Sequence, residues 1–585
     1  LYKVLARNKT HKTSDFHVLF RLVSVATLSL TSGFCLSETL AAKCESRVVR
    51  EMTSSALGNV RLVVSLNHTL TDRENDTLSG LGFDLLRHLP IIEAVAGEIP
   101  RRNLPKLARL SFIKRLSYDD SVQKSDSFTV DSTLANVAWQ NYATAGVGVG
   151  VAVIDSGTYD ADPDFDAVQS ILGLKINLGK RIVADVDFTG LGTQDQCGHG
   201  THVAGLIAGD GCQSDGILNT QTFLGIAPGA SIINVRVLNA KGGGTVSNVI
   251  SAVQWCITNA SKYKIKVINL SMGHPVGQSY TTDPLCQAVE KAWKSGIVVV
   301  CAAGNGGRLN ATAASGAGNS GYGTNYWSVE SPGNDPYVIT VGATKSLDGT
   351  RAHDQIASYS GRGPSQVDFV VKPDIVAPGN RVVSCEDPNF SYLVTTYGSL
   401  VEIPNSSYQM LGIGYSSAYF CLSGTSMATP VVSGAVALML QLNPSLSPDT
   451  VKARLMISAD KLASPSGVGD PCTYGAGYLN IPAAITSKVL PTTSALSPTL
   501  QENSSGQVYV YLNPAIYGNN AIWGTGTNLE GVYGTQAIWG SGGNILTASN
   551  AIWGSGGYWT EGSSNTTYSS SSLDLSCTSV LSHGD

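Results

Sequence analysis

The chain has 585 residues, 43% of them apolar and only 14% charged, with a net charge of −5 and 63 glycines. That is enough for roughly two to four domains with a sizeable buried core, and it is too apolar for wholesale disorder. So little charge, slightly acidic in balance, offers no basic surface for nucleic acid or an anionic membrane, and neither is expected as a partner.

The first feature in chain order is an apolar segment, Leu22 to Leu36, preceded by Lys3, Arg7, Lys9, Lys12 and Arg21. It falls short of the ~20 residues that span a bilayer, and the small residues Ala41 and Ala42 follow it. Residues 1–44 are therefore expected to be a signal peptide region, with no stable membrane span and a secreted or surface-associated product. A buried N-terminal helix is the competing reading. The eleven cysteines include no C-x-x-C pair, which argues against zinc knuckles and thioredoxin-type sites. In an oxidising compartment they are expected in disulfides, with Cys197–Cys212 and Cys385–Cys421 as the two suggested bridges.

Residues 45–124 are rich in both signs of charge. Extended runs at Val60–Leu66, Ile91–Ile99 and Ile113–Ser117 alternate with helical patterns at Leu78–Leu89 and Asn103–Leu110, which predicts a small β-α-β-α-β unit. Residues 125–490 form the central region. Residues 491–585 contain no Lys or Arg and repeat A-I-Y-G at Ala515 and A-I-W-G at Ala521, Ala537 and Ala551 among Gly, Ser, Thr and Asn. This tail reads as a separate module of turns and short strands. Its aromatics suit packing against each other or a neighbouring domain, or else a face for polysaccharide or cell surface.

Three central segments carry reactive residues. V-G-V-A-V-I-D-S-G, Val149 to Gly157, is a continuous apolar run typical of a buried parallel strand, and it ends in Asp155, where open α/β sheets place their ligands. C-G-H-G-T-H-V-A-G, from Cys197, surrounds His199 with glycines ahead of a small-residue helical pattern. In S-G-T-S-M-A-T-P, Ser426 opens an apolar helix with Pro430 in its early turns. A serine nucleophile needs a base within reach and an acid to orient that base, and a helix N-terminus favours a developing oxyanion.

In the order Asp, His, Ser these motifs resemble the subtilisin-like serine proteases. The resemblance runs from about Asn136 to Ile485 and includes V-I-N-L-S-M-G (Val267–Gly273), V-V-C-A-A-G-N (Val299–Asn305), S-P-G-N-D-P-Y-V-I-T-V-G-A (Ser331–Ala343) and K-P-D-I-V-A-P-G (Lys372–Gly379). It implies an α/β fold with a doubly wound, mostly parallel sheet and a small α+β propeptide domain, while the Gly/Trp-rich tail, outside the resemblance, is expected to be of β character from its own composition. It further implies a secreted serine endopeptidase of broad specificity acting on proteins or peptides, made as a zymogen whose own propeptide inhibits it.

By the same resemblance, Ser426 is the nucleophile, His199 the base, Asp155 its orienter and Asn305 an oxyanion donor. His202 is left as a structural residue. Substrate is expected between Gly242-Gly243-Gly244 and Ser271-Met272-Gly273, with a side pocket lined by Ala302, Ala303 and Gly304 and with Glu330 near its floor. No cofactor is expected for the chemistry. Structural calcium is implied at Asp164 and Asn219, two oxygen donors of the kind a hard cation prefers. The rival reading is a catalytically silent surface-binding protein on the same scaffold.

Overall fold

The computed structural model describes residues 58–511 except 91–92, 119–127, 172–173, 217, 310–318, 389–390, 463–469 and 503–507, together with a few residues between 43 and 52. The apolar N-terminal segment and the A-I-W-G repeats lie outside the described residues. The chain divides into two compact units, with the division between Val122 and Gln123.

In the first unit the elements run β1 (Asn59–Leu66), α1 (Asp72–Gly80), β2 (Asp84–Leu89), β3 (Ala94–Pro100), α2 (Leu104–Ala108) and β4 (Ile113–Tyr118). The sheet is antiparallel with strand order β2-β3-β1-β4, a ferredoxin-like arrangement. This corrects the predicted β-α-β-α-β pattern, because the helix lies earlier and Asp84–Leu89 is a strand. Thr71 and Glu74 form a capping box that starts α1 at Asp72. At the other end, Gly82 adopts φ +74° and turns the chain out of the helix. The core beneath the sheet is Leu62, Val64, Val95, Ile99, Leu104, Leu107, Ile113 and Leu116.

The second unit is built on an eight-stranded sheet. Strands β5 (Gly150–Asp155), β8 (Ile182–Asp187), β9 (Ser231–Arg236), β10 (Ile265–Leu270), β11 (Val298–Ala302) and β12 (Ile339–Lys345) are parallel, in the order β8-β9-β5-β10-β11-β12. Strand β14 (Ile375–Pro378) pairs parallel to β12, and the short β13 (Gln355–Ile356) pairs antiparallel to it. A separate hairpin, β6 (Asp166–Ile171) and β7 (Leu174–Lys180), lies between β5 and β8 in sequence. From β5 the chain crosses to β8, returns to β9 beside β5, and then crosses β5 to build β10, β11 and β12 on the other side. The carboxyl end of β5 is therefore a topological switch point, where such sheets form a crevice.

Helices α3 (His199–Ala208), α4 (Val246–Tyr263) and α5 (Pro284–Lys294) pack with the sheet. A further helix, α6 (Thr425–Leu442), crosses β10, β11, β12 and β14 and touches α3. It is buried from Thr425 to Leu440. Its mean hydropathy of 1.4 is high enough for a membrane helix, yet 89% of it is buried within the protein, so it is a core helix, apolar on all faces for that reason. Farther along the K-P-D motif, Asp374 pairs with Lys372 at 2.7 Å and with Lys452 at 3.3 Å inside the protein, which fixes β14 against the helix that carries Lys452.

The stretch between Cys385 and Cys421 is ordered without a covalent staple. Strands β15 (Val382–Cys385), β16 (Glu402–Pro404) and β17 (Tyr415–Leu422) form an antiparallel sheet in the order β15-β17-β16. No disulfide joins any of the described cysteines, so neither suggested bridge is formed. In β15 and β17, Cys385 lies opposite Tyr419 and Cys421 opposite Val383. The two cysteines are diagonal neighbours, at a separation of roughly 7 Å that exceeds disulfide reach. Beyond the central region, Thr499–Glu502 and Val508–Tyr511 form an antiparallel hairpin.

Candidate active site

Asp155 and His199 are brought together by a close approach of two turns. A Cβ on Gly200 would lie 2.1 Å from the carbonyl oxygen of Gly157, so the first turn of α3 can sit on the end of β5 only because glycine is there. His199 Nδ1 is then 2.7 Å from Asp155 Oδ1, with both side chains fully buried. The same carboxylate oxygen accepts the Ser156 N–H at 2.8 Å. With Nδ1–H directed at the carboxylate, the lone pair of neutral His199 is on Nε2, and Nε2 has no hydrogen-bond partner among the described residues. Burial opposes charging the imidazole, but the Asp155 charge and hydrogen bond favour it, and the net effect raises the His199 pKa above its ordinary value.

One supporting residue was missed in the sequence. The buried Asp195 carboxylate accepts from the N–H groups of Cys197, Gly198 and Thr201, from Thr201 Oγ1 and from Ser156 Oγ, at 2.8 to 3.0 Å. Ser156 Oγ in turn accepts the Gly200 N–H at 2.9 Å. Asp195 thus holds the start of α3 to the end of β5. The signal for it was modest, an acid four residues before a histidine that begins a helix.

Ser426 occupies the first turn of α6. Its Oγ donates to the carbonyl of Ser271 at 3.0 Å, and Ser271 Oγ donates back to the carbonyl of Ser426 at 2.8 Å. Pro430 explains the second bond: it has no N–H to give the carbonyl four residues earlier, so that acceptor needs another donor. Asn269 Nδ2 donates to Ser271 Oγ at 2.9 Å, and Ser433 Oγ donates to Asn269 Oδ1 at 2.8 Å, which orients the pair. Strands β5 and β10 are in register with Val153 opposite Asn269. Two residues farther on, that register sets Asp155 level with Ser271, so the acid–imidazole pair and the serine belong to one end of the sheet.

Asn305 follows β11. Its Oδ1 accepts from Thr425 N at 2.9 Å and from Thr425 Oγ1 at 3.1 Å, which fixes the amide with Nδ2 turned the other way. A Cβ placed on Gly424 would lie 3.5 Å from Asn305 Nδ2 and 3.6 Å from Ser426 N. Two N–H donors therefore flank a common space at the positive end of α6.

The predicted substrate segments are mainly backbone. Gly242–Gly244 form a turn, with Asn239 N donating to Gly243 O at 2.7 Å and Leu238 bridged to Gly244. Ser271, Met272 and Gly273 continue from β10, and Ala302, Ala303 and Gly304 from β11. Glu330 sits between the latter two. A Cβ on Gly273 would come within 2.7 Å of Glu330 Oε2, and one on Gly304 within 2.8 Å of Glu330 Cδ.

Three other residues have separate surroundings. His202 is buried, its Nε2 3.0 Å from the Val382 carbonyl and its ring edge-on to Phe420, and burial lowers its pKa to about 3. Asp164 is buried against Tyr419, Gln213 and Cys385. Asn219 pairs with Gln409 and lines a cleft with Asp215, Gly216, Leu218 and Leu411. Beside Asp164 Oδ2 lies the sulfur of Cys385 at 3.6 Å, a donor that calcium does not take.

The sequence profile of the Subtilase family matches residues 146–477, a span that contains the whole parallel sheet, α3 and α6. Serine protease AprX of Bacillus subtilis (strain 168) is 36% identical over 363 residues, covering 61% of this chain and 70% of that protein. Subtilisin DY of Bacillus licheniformis is 35% identical over 346 residues, covering 59% of this chain and 93% of its own. Subtilisin E of Bacillus subtilis (strain 168) is 29% identical over 415 residues, covering 70% and 86% respectively. A profile that takes in more than half of the chain, on a parallel sheet with an Asp–His pair at its switch point, places this chain in the Subtilase family, among the subtilisin-like serine endopeptidases.

Proposed function

We propose that the chain hydrolyses internal peptide bonds through Asp155, His199 and Ser426, with the Asn305 amide and the Ser426 N–H receiving the oxyanion. The buried Asp155–His199 bond, at the same end of the sheet as Ser271 and the Ser426 hydroxyl bonded to it, is the observation that carries this reading. In the reaction, Ser426 Oγ leaves the Ser271 carbonyl by a χ1 change between staggered wells and donates to His199 Nε2. It attacks the substrate carbonyl as the imidazole takes its proton, and the imidazolium then returns that proton to the leaving amine. Water repeats the sequence on the acyl-enzyme. The reading is tested by hydrolysis of an unfolded protein with the purified chain: stoichiometric fluorophosphonate should stop it, and undiminished hydrolysis after treatment would refute it.

Because neutral His199 is the base and its pKa is raised, kcat/KM should fall with acid at a midpoint above the ordinary histidine value of about 6.5. A pH–rate profile with its acid limb below that value would contradict the assignment. Replacing Asn305 with alanine should lower kcat by about 10²–10³, the cost of removing the equivalent donor in subtilisin, with a folded protein whose melting temperature falls only by the loss of the acceptor for Thr425 N and Oγ1. Steady-state kinetics beside a thermal melt checks both parts.

Backbone recognition by Gly242–Gly244 and Ser271–Gly273 supports broad specificity. The position of Glu330 between Gly273 and Gly304 supports a preference for Lys or Arg before the cut. Glu330→Gln should erase that preference in a peptide library while leaving cleavage after apolar residues within a few fold. A wild-type profile indifferent to charge would dismiss it.

The remaining parts of the proposal concern the outer segments. Export rests on the basic-then-apolar leader of residues 1–44. The 45–124 module is proposed as an intramolecular inhibitor on its size and α+β pattern, and the 491–585 tail as a separate module with a surface or polysaccharide partner.

A further inference from the structure

Asp162, Asp164 and Cys385 meet inside the second unit, and the proposed mechanism uses none of them. They are 1%, 0% and 2% exposed, and one ligand atom from each lies within 4.8 Å of the others. Asp162 Oδ1 accepts from Asp164 N at 2.8 Å and from Gln213 Nε2 at 2.9 Å, while Asp162 Oδ2 is buried with no hydrogen-bond partner among the described residues. Asp164 Oδ1 accepts from Gln213 N at 2.9 Å. Its Oδ2 accepts from Tyr419 Oη at 2.6 Å and lies 3.6 Å from Cys385 Sγ. The nearby Arg181 pairs with Asp210 at 3.9 Å and directs its other N–H groups to main-chain carbonyls.

Three acids in one desolvated space must be neutralised by protons or by a cation. Without a cation, burial pushes Asp162 up to about 8 and also raises Asp164 and Cys385.

We propose that Asp162 Oδ2, Asp164 Oδ2 and Cys385 Sγ bind a divalent metal ion that accepts thiolate, with zinc as the ion the donor set fits. A sulfur and two carboxylate oxygens are too few and too soft for calcium, which takes six to eight oxygens. Zinc takes four ligands, with Zn–S about 2.3 Å and Zn–O about 2.1 Å, so tetrahedral sulfur and oxygen ligands stand roughly 3.6 Å apart. Cys385 Sγ and Asp164 Oδ2 already have that separation. Tyr419 and Gln213 stay as outer hydrogen bonds that orient the Asp164 carboxylate. Binding displaces the thiol proton and any carboxyl proton to solvent, so charge balances without a redox step.

The site would join two elements, the turn after β5 and β15, beside α3. A Cβ on Gly205 of α3 would lie 2.8 Å from Cys385 Sγ, so the cluster is pressed against the helix that begins with His199.

The test uses the full chain with Ser426→Ala, to prevent self-digestion, stripped of metal and titrated with Cd²⁺ alone. One equivalent should produce a thiolate-to-cadmium charge-transfer band in the ultraviolet, and Zn²⁺ should compete it away. The band should vanish in Cys385→Ser and persist in Cys421→Ser. Asp162→Asn, which keeps the thiol, should bind at least about tenfold more weakly. No band in the parent chain, or a band of equal intensity in Cys385→Ser, would overturn the site, as would unchanged affinity in Asp162→Asn.

Discussion

Replacing Ser426 with alanine should reduce kcat on protein or peptide substrates by about 10⁶-fold, the loss that removing the nucleophile causes in subtilisin. The change is local. Ser426 is 6% exposed, and its hydroxyl makes one bond, to the Ser271 carbonyl, so stability should fall by no more than about 1 kcal/mol. The Ser426 N–H remains, Ser271 Oγ still bonds the residue 426 carbonyl, and Asn305 still rests on Thr425. Substrate binding should survive with KM changed only a few fold, which separates lost chemistry from lost structure. Retention of more than a tenth of wild-type kcat would assign the nucleophile elsewhere.

The second large effect is expected from Asp155→Asn, a loss of about 10⁴ in kcat, as seen when the triad acid of another serine protease is made an amide. His199 Nδ1 now donates to Asp155 Oδ1 at 2.7 Å. An asparagine can present its NH₂ there instead, which places the ring proton on Nε2 and removes the lone pair that must accept from Ser426. The fold should tolerate the change, since a neutral amide relieves a buried charge, which offsets the acceptor that the Ser156 N–H loses when the NH₂ takes the place of Oδ1. With the carboxylate gone, the His199 pKa should fall, and the acid limb of the residual activity should shift to lower pH. Kinetics across pH, with a thermal melt of the same variant, measures both. An unchanged rate, or an acid limb moved upward, would contradict the role given to Asp155.

While the rest of the parallel sheet was expected only through the family resemblance, strand β5 was legible because it is a continuous apolar run that ends in turn chemistry, Val149–Gly157. Asp155 and His199 could be placed for the same reason, one at the end of such a strand and one at the start of a small-residue helix. Strand β2 was not legible. It is an exposed element whose leucines at 85, 86 and 89 also suit a helical period, and only the Gly82 turn separates it from α1.

The supporting contacts were hidden because they depend on register between distant segments. Pro430 announces an acceptor without its usual donor, but nothing local says that Ser271 supplies one. Asp195 acts through three main-chain N–H groups of a turn that had no predicted geometry. The suggested Cys385–Cys421 bridge failed on a two-residue offset across β15 and β17, which spacing along the chain cannot reveal. Cys385 instead faces Asp164, which is 221 positions away in sequence.

The most direct measurement is the site and rate of fluorophosphonate labelling, read by peptide mapping. The wild-type chain should carry one label, on Ser426, and His199→Ala should slow that labelling by several orders of magnitude. A label on another residue, or labelling of Ser426 at the same rate without His199, would contradict the account.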